Sequence, residues 1–216
     1  QRERRFTSDV AHELRTPLTA MLLQSRLARA CDNPAERSQA LAAVEQGALR
    51  AGHILGQLLD LARAQNLDGQ TLAPVDLCAL AQQELATHAP LAYERGQELA
   101  LDAPASPVRV RAHPTMLSLA LRNLVDNALR HTPPGTLVEV RIGHDTEDRA
   151  TLSVSDNGAR KGAQASNSPG MGVGLTLVQR IADAQGIALE HTPGSAAAPH
   201  RWILTWPRPD HPPGPP

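Results

Sequence analysis

Residues 121–132 read Leu121-Arg122-Asn123-Leu124-Val125-Asp126-Asn127-Ala128-Leu129-Arg130-His131-Thr132. Leu121, Leu124, Val125, Ala128 and Leu129 recur at three- and four-residue intervals, the period of a helix with one apolar face. Asn123 and Asn127 are four apart and share another face. Pro114 can open this helix, and Pro133-Pro134-Gly135 stops it after His131. On either side the apolar period falls to two. Residues 99–101 and 108–111 precede the helix as short alternating segments, and 137–142 and 150–155 follow it with Leu137, Val138, Val140, Ile142, Leu152 and Val154. Residues 75–88 and 171–185 read as further helices, the second stopped by Gly186. Residues 187–190 and 202–206 close the pattern as strands. Strands and helices mixed in this order predict an α+β layered fold.

The helix at the centre has chemical content. Amide oxygens are hard, neutral ligands suited to Mg²⁺ that also holds phosphates, and Arg130 is placed to reach a phosphate. Taken alone, an amphipathic helix with two solvated asparagines satisfies the same pattern. Val154-Ser155-Asp156-Asn157-Gly158 ends a strand in a turn signal, where a buried carboxylate can accept from an exocyclic amine such as adenine's. Gly170-Met171-Gly172-Val173-Gly174-Leu175 sets glycines at every second position before a helix, so backbone amides can approach phosphate. It is not the dinucleotide fingerprint, because the third glycine is wrongly spaced, and no Gly-Lys-Ser/Thr makes it a Walker loop.

Upstream, Ala11, Leu14, Leu18, Met21, Ser25 and Ala28 follow a 3-4 spacing, as do Leu41, Val44, Ala48, Ala51, Leu55, Leu58 and Ala62. Between them, Asp32, Asn33 and Pro34 break the helix. Two helices alone bury too little, so the hairpin is expected to pair with a second copy as a four-helix bundle. The first helix carries Phe6-Thr7-Ser8-Asp9-Val10-Ala11-His12-Glu13-Leu14-Arg15-Thr16-Pro17-Leu18. A neutral imidazole is a competent nucleophile near pH 7. Glu13 can hydrogen-bond one ring nitrogen of His12 and leave the other to attack. Thr16 follows at i+4, and Pro17 should bend the helix beside His12. A zinc reading fails because Thr16 stands where a second histidine would be needed.

Composition bounds the rest. The chain has 216 residues, 41% hydrophobic and 20% charged, which supports a real core and excludes a wholly disordered chain. Lys and Arg total 21 against 22 Asp and Glu, a net charge of −1 that gives no footprint for nucleic acid. Two Trp, one Tyr and one Phe leave the core to Leu, Ala, Val and Ile. Cys31 and Cys78 make no disulfide framework, which fits a reducing compartment. No apolar run approaches the roughly 18 residues that cross a bilayer, and no leader opens the chain. Gln1-Arg2-Glu3-Arg4-Arg5 reads as a helix entered in mid-course, so a longer protein is expected.

In this order and spacing the motifs resemble the cytoplasmic core of a bacterial two-component sensor histidine kinase, over nearly the whole chain. Residues 6–18 look like the H box, 121–132 the N box, 156–158 the G1 box and 170–175 the G2 box. The resemblance implies a dimeric phosphotransfer hairpin (1–66), a linker (67–74), an α/β-sandwich ATP-binding domain of the Bergerat (GHKL) fold (75–207) and a Pro-rich, disordered tail (208–216). It implies that His12 is the phosphoacceptor, Glu13 its polarising partner and Thr16 a residue for dephosphorylating the receiver. Asn127 then holds Mg²⁺ with Asn123 assisting, Asp156 reads adenine, and Arg130, His131, Gly158, Gly170, Gly172, Gly174 and Leu175 complete the ATP site. Asn123 cannot act as a base toward water, which directs the phosphoryl group to His12. The implied partners are a second copy and a response-regulator receiver domain. The implied place is the cytoplasmic side of a bacterial inner membrane, reached through a segment outside this sequence. Two departures stand out: Ala159-Arg160 follow Gly158 where the family has a further glycine, and the short interval 157–169 contains no aromatic where the family has a lid with an F box. A second reading follows from them, a phosphatase-dominant or scaffold-type kinase with weak nucleotide binding.

Overall fold

The structure, a computed structural model, describes residues 2–65, 72–158, 173–195 and 198–208, with side chains for all of these except residues 2–15, 50, 53, 57–65 and 173. The chain forms two compact units. The first is a hairpin of α1 (Arg2–Ala30) and α2 (Pro34–Gln65). Asn33 makes the break. Its Oδ1 accepts from the Ala35 amide at 3.0 Å and its carbonyl from Arg37 N at 3.0 Å, while Pro34 sits where a missing N–H costs nothing. Arg37 Nη2 donates back to the Cys31 carbonyl at 2.7 Å and closes the turn. Helix α1 is assigned continuously through Pro17.

Small side chains bring the two helices together. Ala28, Ala40 and Gly47 are buried, and a Cβ on Gly47 would run into Met21 Cγ and stand 3.2 Å from its Sδ. The expected seams therefore do not close within one hairpin. Leu18, Leu41 and Leu55, all expected seam positions, face outward with Leu22, Leu23, Leu27 and Leu49, between 50% and 69% exposed. The physical reason is size: alanine and glycine allow a close approach that leucine would hold apart.

The second unit is an α/β sandwich. A five-stranded sheet has the order β2 (Glu98–Asp102), β4 (Leu137–His144), β5 (Ala150–Asp156), β7 (His200–Thr205), β6 (Ala188–Thr192). The pair β2–β4 is parallel and the other pairs are antiparallel. A separate antiparallel pair joins β1 (Ala73–Asp76) to β3 (Arg109–Ala112). Among the described residues this unit has the helices α3 (Leu77–Glu94), α4 (Pro114–His131) and α5 (Val173–Gln185). The core is aliphatic. Leu117, Leu121, Leu124, Val125 and Leu129 of α4, Val138 and Val140 of β4, Leu152 of β5, Leu177 and Val178 of α5 and Leu204 of β7 are the largest wholly buried side chains besides Leu77.

Most elements fall where the sequence puts them, with two differences. Residues 75–76 open no helix; they end β1, and Asp76 caps α3 by accepting from the amides of Cys78 at 2.9 Å and Ala79 at 3.4 Å. Helix α3 also runs past His88 and through Pro90 to Glu94, because its buried stripe of Leu77, Ala81, Leu85, His88 and Ala92 continues beyond the proline. Gly186 takes φ +66° directly after α5, the left-handed stop expected there. The tail from residue 209 lies outside the described residues.

Candidate functional site

The site is built on α4 and the end of β5. The apolar face of α4 is buried as its period requires, including Leu121, Leu124, Val125, Ala128 and Leu129. Asn123 is not a solvated surface residue. It is 5% exposed, and its Nδ2 donates to the Leu119 carbonyl one turn back at 2.8 Å. Asn127, one turn on, is half-buried, and its Nδ2 is buried with no hydrogen-bond partner among the described residues. A buried amide donor without a partner costs about 1–3 kcal/mol unless a ligand satisfies it. Arg130 and His131 end the helix and are exposed.

Two side chains from before β2 tie down the C-terminal carbonyls of α4. Gln97 Nε2 donates to Leu129 O at 3.1 Å, Thr132 O at 3.0 Å and Thr132 Oγ1 at 2.8 Å, and Arg95 Nη1 donates to Leu129 O at 3.0 Å. Thr132 Oγ1 in turn donates to Ala128 O at 2.7 Å. A second clamp holds the middle of α4 to α3. His88 is 6% exposed, with Nδ1 2.7 Å from Glu84 O and Nε2 3.5 Å from Asp126 Oδ1. Ser118 donates to the Glu84 carboxylate as well. The hydrogen bond from the His88 ring to Asp126, helped by the Glu84 carbonyl, raises the His88 pKa against the opposing pull of burial. Asp126 immediately precedes Asn127, so this clamp fixes the rotation of the helix at that asparagine.

Asp156 is the last residue of β5, is 2% exposed and pairs across the sheet with Val138 on one side and His200 on the other. Asn157 continues the ladder: its Oδ1 accepts from Leu137 N at 2.8 Å, and its own N–H donates to Leu137 O at 3.3 Å. Gly158 then passes so close to the end of α4 that a Cβ there would stand 2.8 Å from Thr132 Cβ and 2.9 Å from Thr136 Cγ2. The φ of Gly158 is not left-handed, so space alone demands glycine. The G1 and N motifs therefore meet at one place, with a buried carboxylate and a buried amide donor as their polar contributions.

Other predicted residues are placed less fully. Gly174 and Leu175 lie half-buried near the start of α5. Gly170 and Gly172 lie outside the described residues. His12 and Glu13 lie on α1 in the hairpin unit, their side chains outside those described, and Thr16 is exposed on the same helix. Sequence reasoning missed Gln97, Thr136, His88 and His200, and gave Thr132 no role of its own within the N motif. Their contacts join segments far apart in the chain, and no periodic signal marks them.

A buried carboxylate beside a buried amide donor is a polar pair that can take a nucleotide. Comparison with known proteins identifies the family. Residues 2–67 match the His Kinase A (phospho-acceptor) domain, and residues 112–202 match the histidine kinase-, DNA gyrase B- and HSP90-like ATPase. The chain is 38% identical over 204 residues to the sensor protein QseC of Escherichia coli K12, which covers 88% of this chain and 44% of that protein. The chain thus spans less than half the length of that relative. The solved cytoplasmic segment of histidine kinase QseC matches with 30% identity and a TM-score of 0.54, covering 73% of this chain and 92% of that one. The histidine kinase AdeS of Acinetobacter baumannii shares the fold at 19% identity, with a TM-score of 0.62 over 90% of this chain and 96% of that one.

Proposed function

The chain belongs to the sensor histidine kinase family, and we propose that it is the phosphotransfer and ATP-binding core of a longer sensor. In this reading residues 1–66 are the dimerisation and phosphoacceptor domain, 67–74 a linker whose Ala73 and Pro74 already belong to strand β1, and 75–207 the catalytic domain. The protein phosphorylates itself on His12 and passes the phosphoryl group to an aspartate of a response-regulator receiver domain. Thr16, exposed one helical turn from His12, supports the reverse task of dephosphorylating the receiver.

Asp156 accepts a hydrogen bond from the exocyclic amine of adenine. The amides at the start of α5, with Gly170, Gly172 and Gly174 before and within its first turn, approach the phosphates. Arg130 and His131 flank the phosphate end of α4. The donor set fits a magnesium ion. Asn127 offers a hard amide oxygen, and its buried, unpartnered Nδ2 is available to a phosphate oxygen. When bound, Mg²⁺ supplies neutralisation of phosphate charge. Asn123, committed to its own helix backbone, supports the face on which Asn127 stands.

The chemistry is in-line phosphoryl transfer, in which the protein positions groups and stabilises charge. One imidazole nitrogen of His12 forms a bond to the γ-phosphorus of ATP. The bond from that phosphorus to the β–γ bridging oxygen breaks, and ADP leaves with the electron pair. Glu13 accepts a hydrogen bond from the other ring nitrogen and stabilises the positive charge the ring gains. Asn123, lacking a carboxylate, leaves water unactivated.

The observation that carries this reading is the meeting of the buried Asp156 carboxylate and the Asn127 helix around Gly158. The test is incubation with γ-labelled ATP and Mg²⁺. Acid-labile, alkali-stable label on the wild type, absent from His12→Gln and from Asp156→Asn, is expected. No label on the wild type sinks the kinase reading. The short interval 157–169 favours the second reading, a phosphatase-dominant or scaffold-type kinase with weak nucleotide binding. That reading predicts Thr16-dependent dephosphorylation of a receiver by a protein that labels itself poorly. Two exposed leucine rows on the hairpin support a homodimer, and no described helix is long and apolar enough to cross a membrane. A segment outside this sequence would hold the core at the cytoplasmic side of the inner membrane.

A further inference from the structure

Beside Asp156 stand two histidines that the proposed function leaves unused. His200 lies opposite Asp156 in the β5–β7 register, with Nδ1 3.5 Å from Asp156 Oδ2 and only 12% of its side chain exposed. Its other nitrogen, Nε2, is 2.7 Å from Nε2 of His191. The His191 ring lies flat on Trp202, centroids 4.1 Å apart and planes 15° from parallel, so it is held in place from behind.

Proton placement in this row is constrained. Two ring nitrogens at 2.7 Å share one proton, one donating and the other accepting. If a neutral His200 carried that proton on Nε2, its Nδ1 lone pair would face the carboxylate, acceptor against acceptor. Two arrangements avoid this. His200 is neutral with the proton on Nδ1 and accepts from His191, or His200 is a cation that donates to both neighbours. In both, an N–H of His200 faces Oδ2 of Asp156.

We infer that His200, held by His191, is a positioning residue for the Asp156 carboxylate and thereby sets the preference for adenine over guanine nucleotides. The inference rests on the reading of Asp156 as the adenine acceptor. Adenine presents a 6-amine donor at the position where guanine presents the O6 acceptor. A carboxylate oxygen accepts from the amine and repels O6. An N–H against Oδ2 holds the plane of the carboxylate in one orientation, with its acceptor lone pairs fixed relative to the base. His200 thus acts on the base through Asp156.

The test is calorimetric titration of Mg·ATP and Mg·GTP into the wild type and three variants of the full chain. His200→Ala should weaken ATP binding by about tenfold and narrow the ATP-to-GTP affinity ratio by a similar factor. His200→Asn, whose side-chain amide can present N–H where Nδ1 stood, should restore most of the ratio. His191→Phe, which keeps the stack on Trp202 and loses the shared proton, should fall between. A wild-type ratio in His200→Ala overturns the inference. So does a variant that loses ATP and GTP alike with a lowered melting temperature, since that reports structure alone. A wild type that binds neither nucleotide overturns the functional reading and this inference together. ATP binding that is intact in the wild type and unchanged in His200→Ala overturns this inference alone.

Discussion

Gly158→Ala is the sharpest perturbation of the candidate nucleotide site, because it adds one methyl group where the structure has no room for it. The new Cβ would stand 2.8 Å from Thr132 Cβ and 2.9 Å from Thr136 Cγ2, well inside a carbon–carbon contact of about 3.5–4.0 Å. Neither threonine is free to withdraw. Thr132 is 7% exposed, donates to Ala128 O at 2.7 Å and accepts from Gln97 Nε2 at 2.8 Å. Thr136 is 2% exposed and donates to Pro133 O at 2.8 Å. Overpacking of this kind costs about 1–3 kcal/mol. For a unit of this size that lowers the melting temperature by about 2–12 °C. The strain should also displace Asp156, two residues away, and weaken Mg·ATP binding. Thermal unfolding followed by circular dichroism gives the first number and calorimetric titration the second. Thr136→Ala in the Gly158→Ala background removes the Thr136 atoms in the way and should recover part of both losses. A Gly158→Ala protein that melts within about 1 °C of wild type and binds ATP equally well would refute the packing argument.

Three further outcomes are expected. The His88–Asp126 clamp should stabilise the fold in a pH-dependent way. The folded-state pKa of His88 lies above its ordinary value, so its contribution is complete below about pH 6.5 and is lost as pH rises through the raised value. The melting-temperature difference between wild type and His88→Gln should be larger at about pH 5.5 than at about pH 8.5, and a flat difference contradicts the clamp. Replacing exposed Leu22 and Leu27 with glutamate should raise the dimer dissociation constant at least about a hundredfold, since a buried leucine contributes roughly 1.5–3 kcal/mol. Sedimentation equilibrium would show it, and an unchanged mass across the concentration range counts against the bundle. Asn127→Ala should weaken ATP binding in Mg²⁺ by about 10–100-fold, with a much smaller effect when the metal is chelated; equal losses in both buffers would deny the residue a metal role.

Much of this architecture is legible in the sequence because punctuation and period agree. Pro114 and Pro133-Pro134-Gly135 bracket α4 at the ends the structure assigns, and Asn33-Pro34 breaks the hairpin where predicted. Strands β4 and β5 follow their alternation. Strand β1 escapes because Pro74 and the capping Asp76 occupy half of its four residues, and its pairing with β3 depends on register alone. The end of α3 escapes because Pro90 signals a stop that the buried stripe overrides. The site is partly legible for a similar reason. Asn127, Asp156 and Gly158 stand in compact motifs. Gln97, His88 and His200 act through contacts with residues 32 or more positions away in sequence, and nothing local marks them. The hairpin seam is legible as a period but not as an assignment of partners, since alanine and glycine fill the space within one hairpin and the leucines are left for another surface.

In the proposed function His12 receives the phosphoryl group. The most direct measurement is tandem mass spectrometry, under alkaline conditions, of the peptide spanning residues 6–18 after incubation with Mg·ATP. Phosphate on the His12 ring is predicted. Phosphate on Thr7, Ser8 or Thr16 instead, or an unmodified peptide from protein that demonstrably binds ATP, would contradict the account.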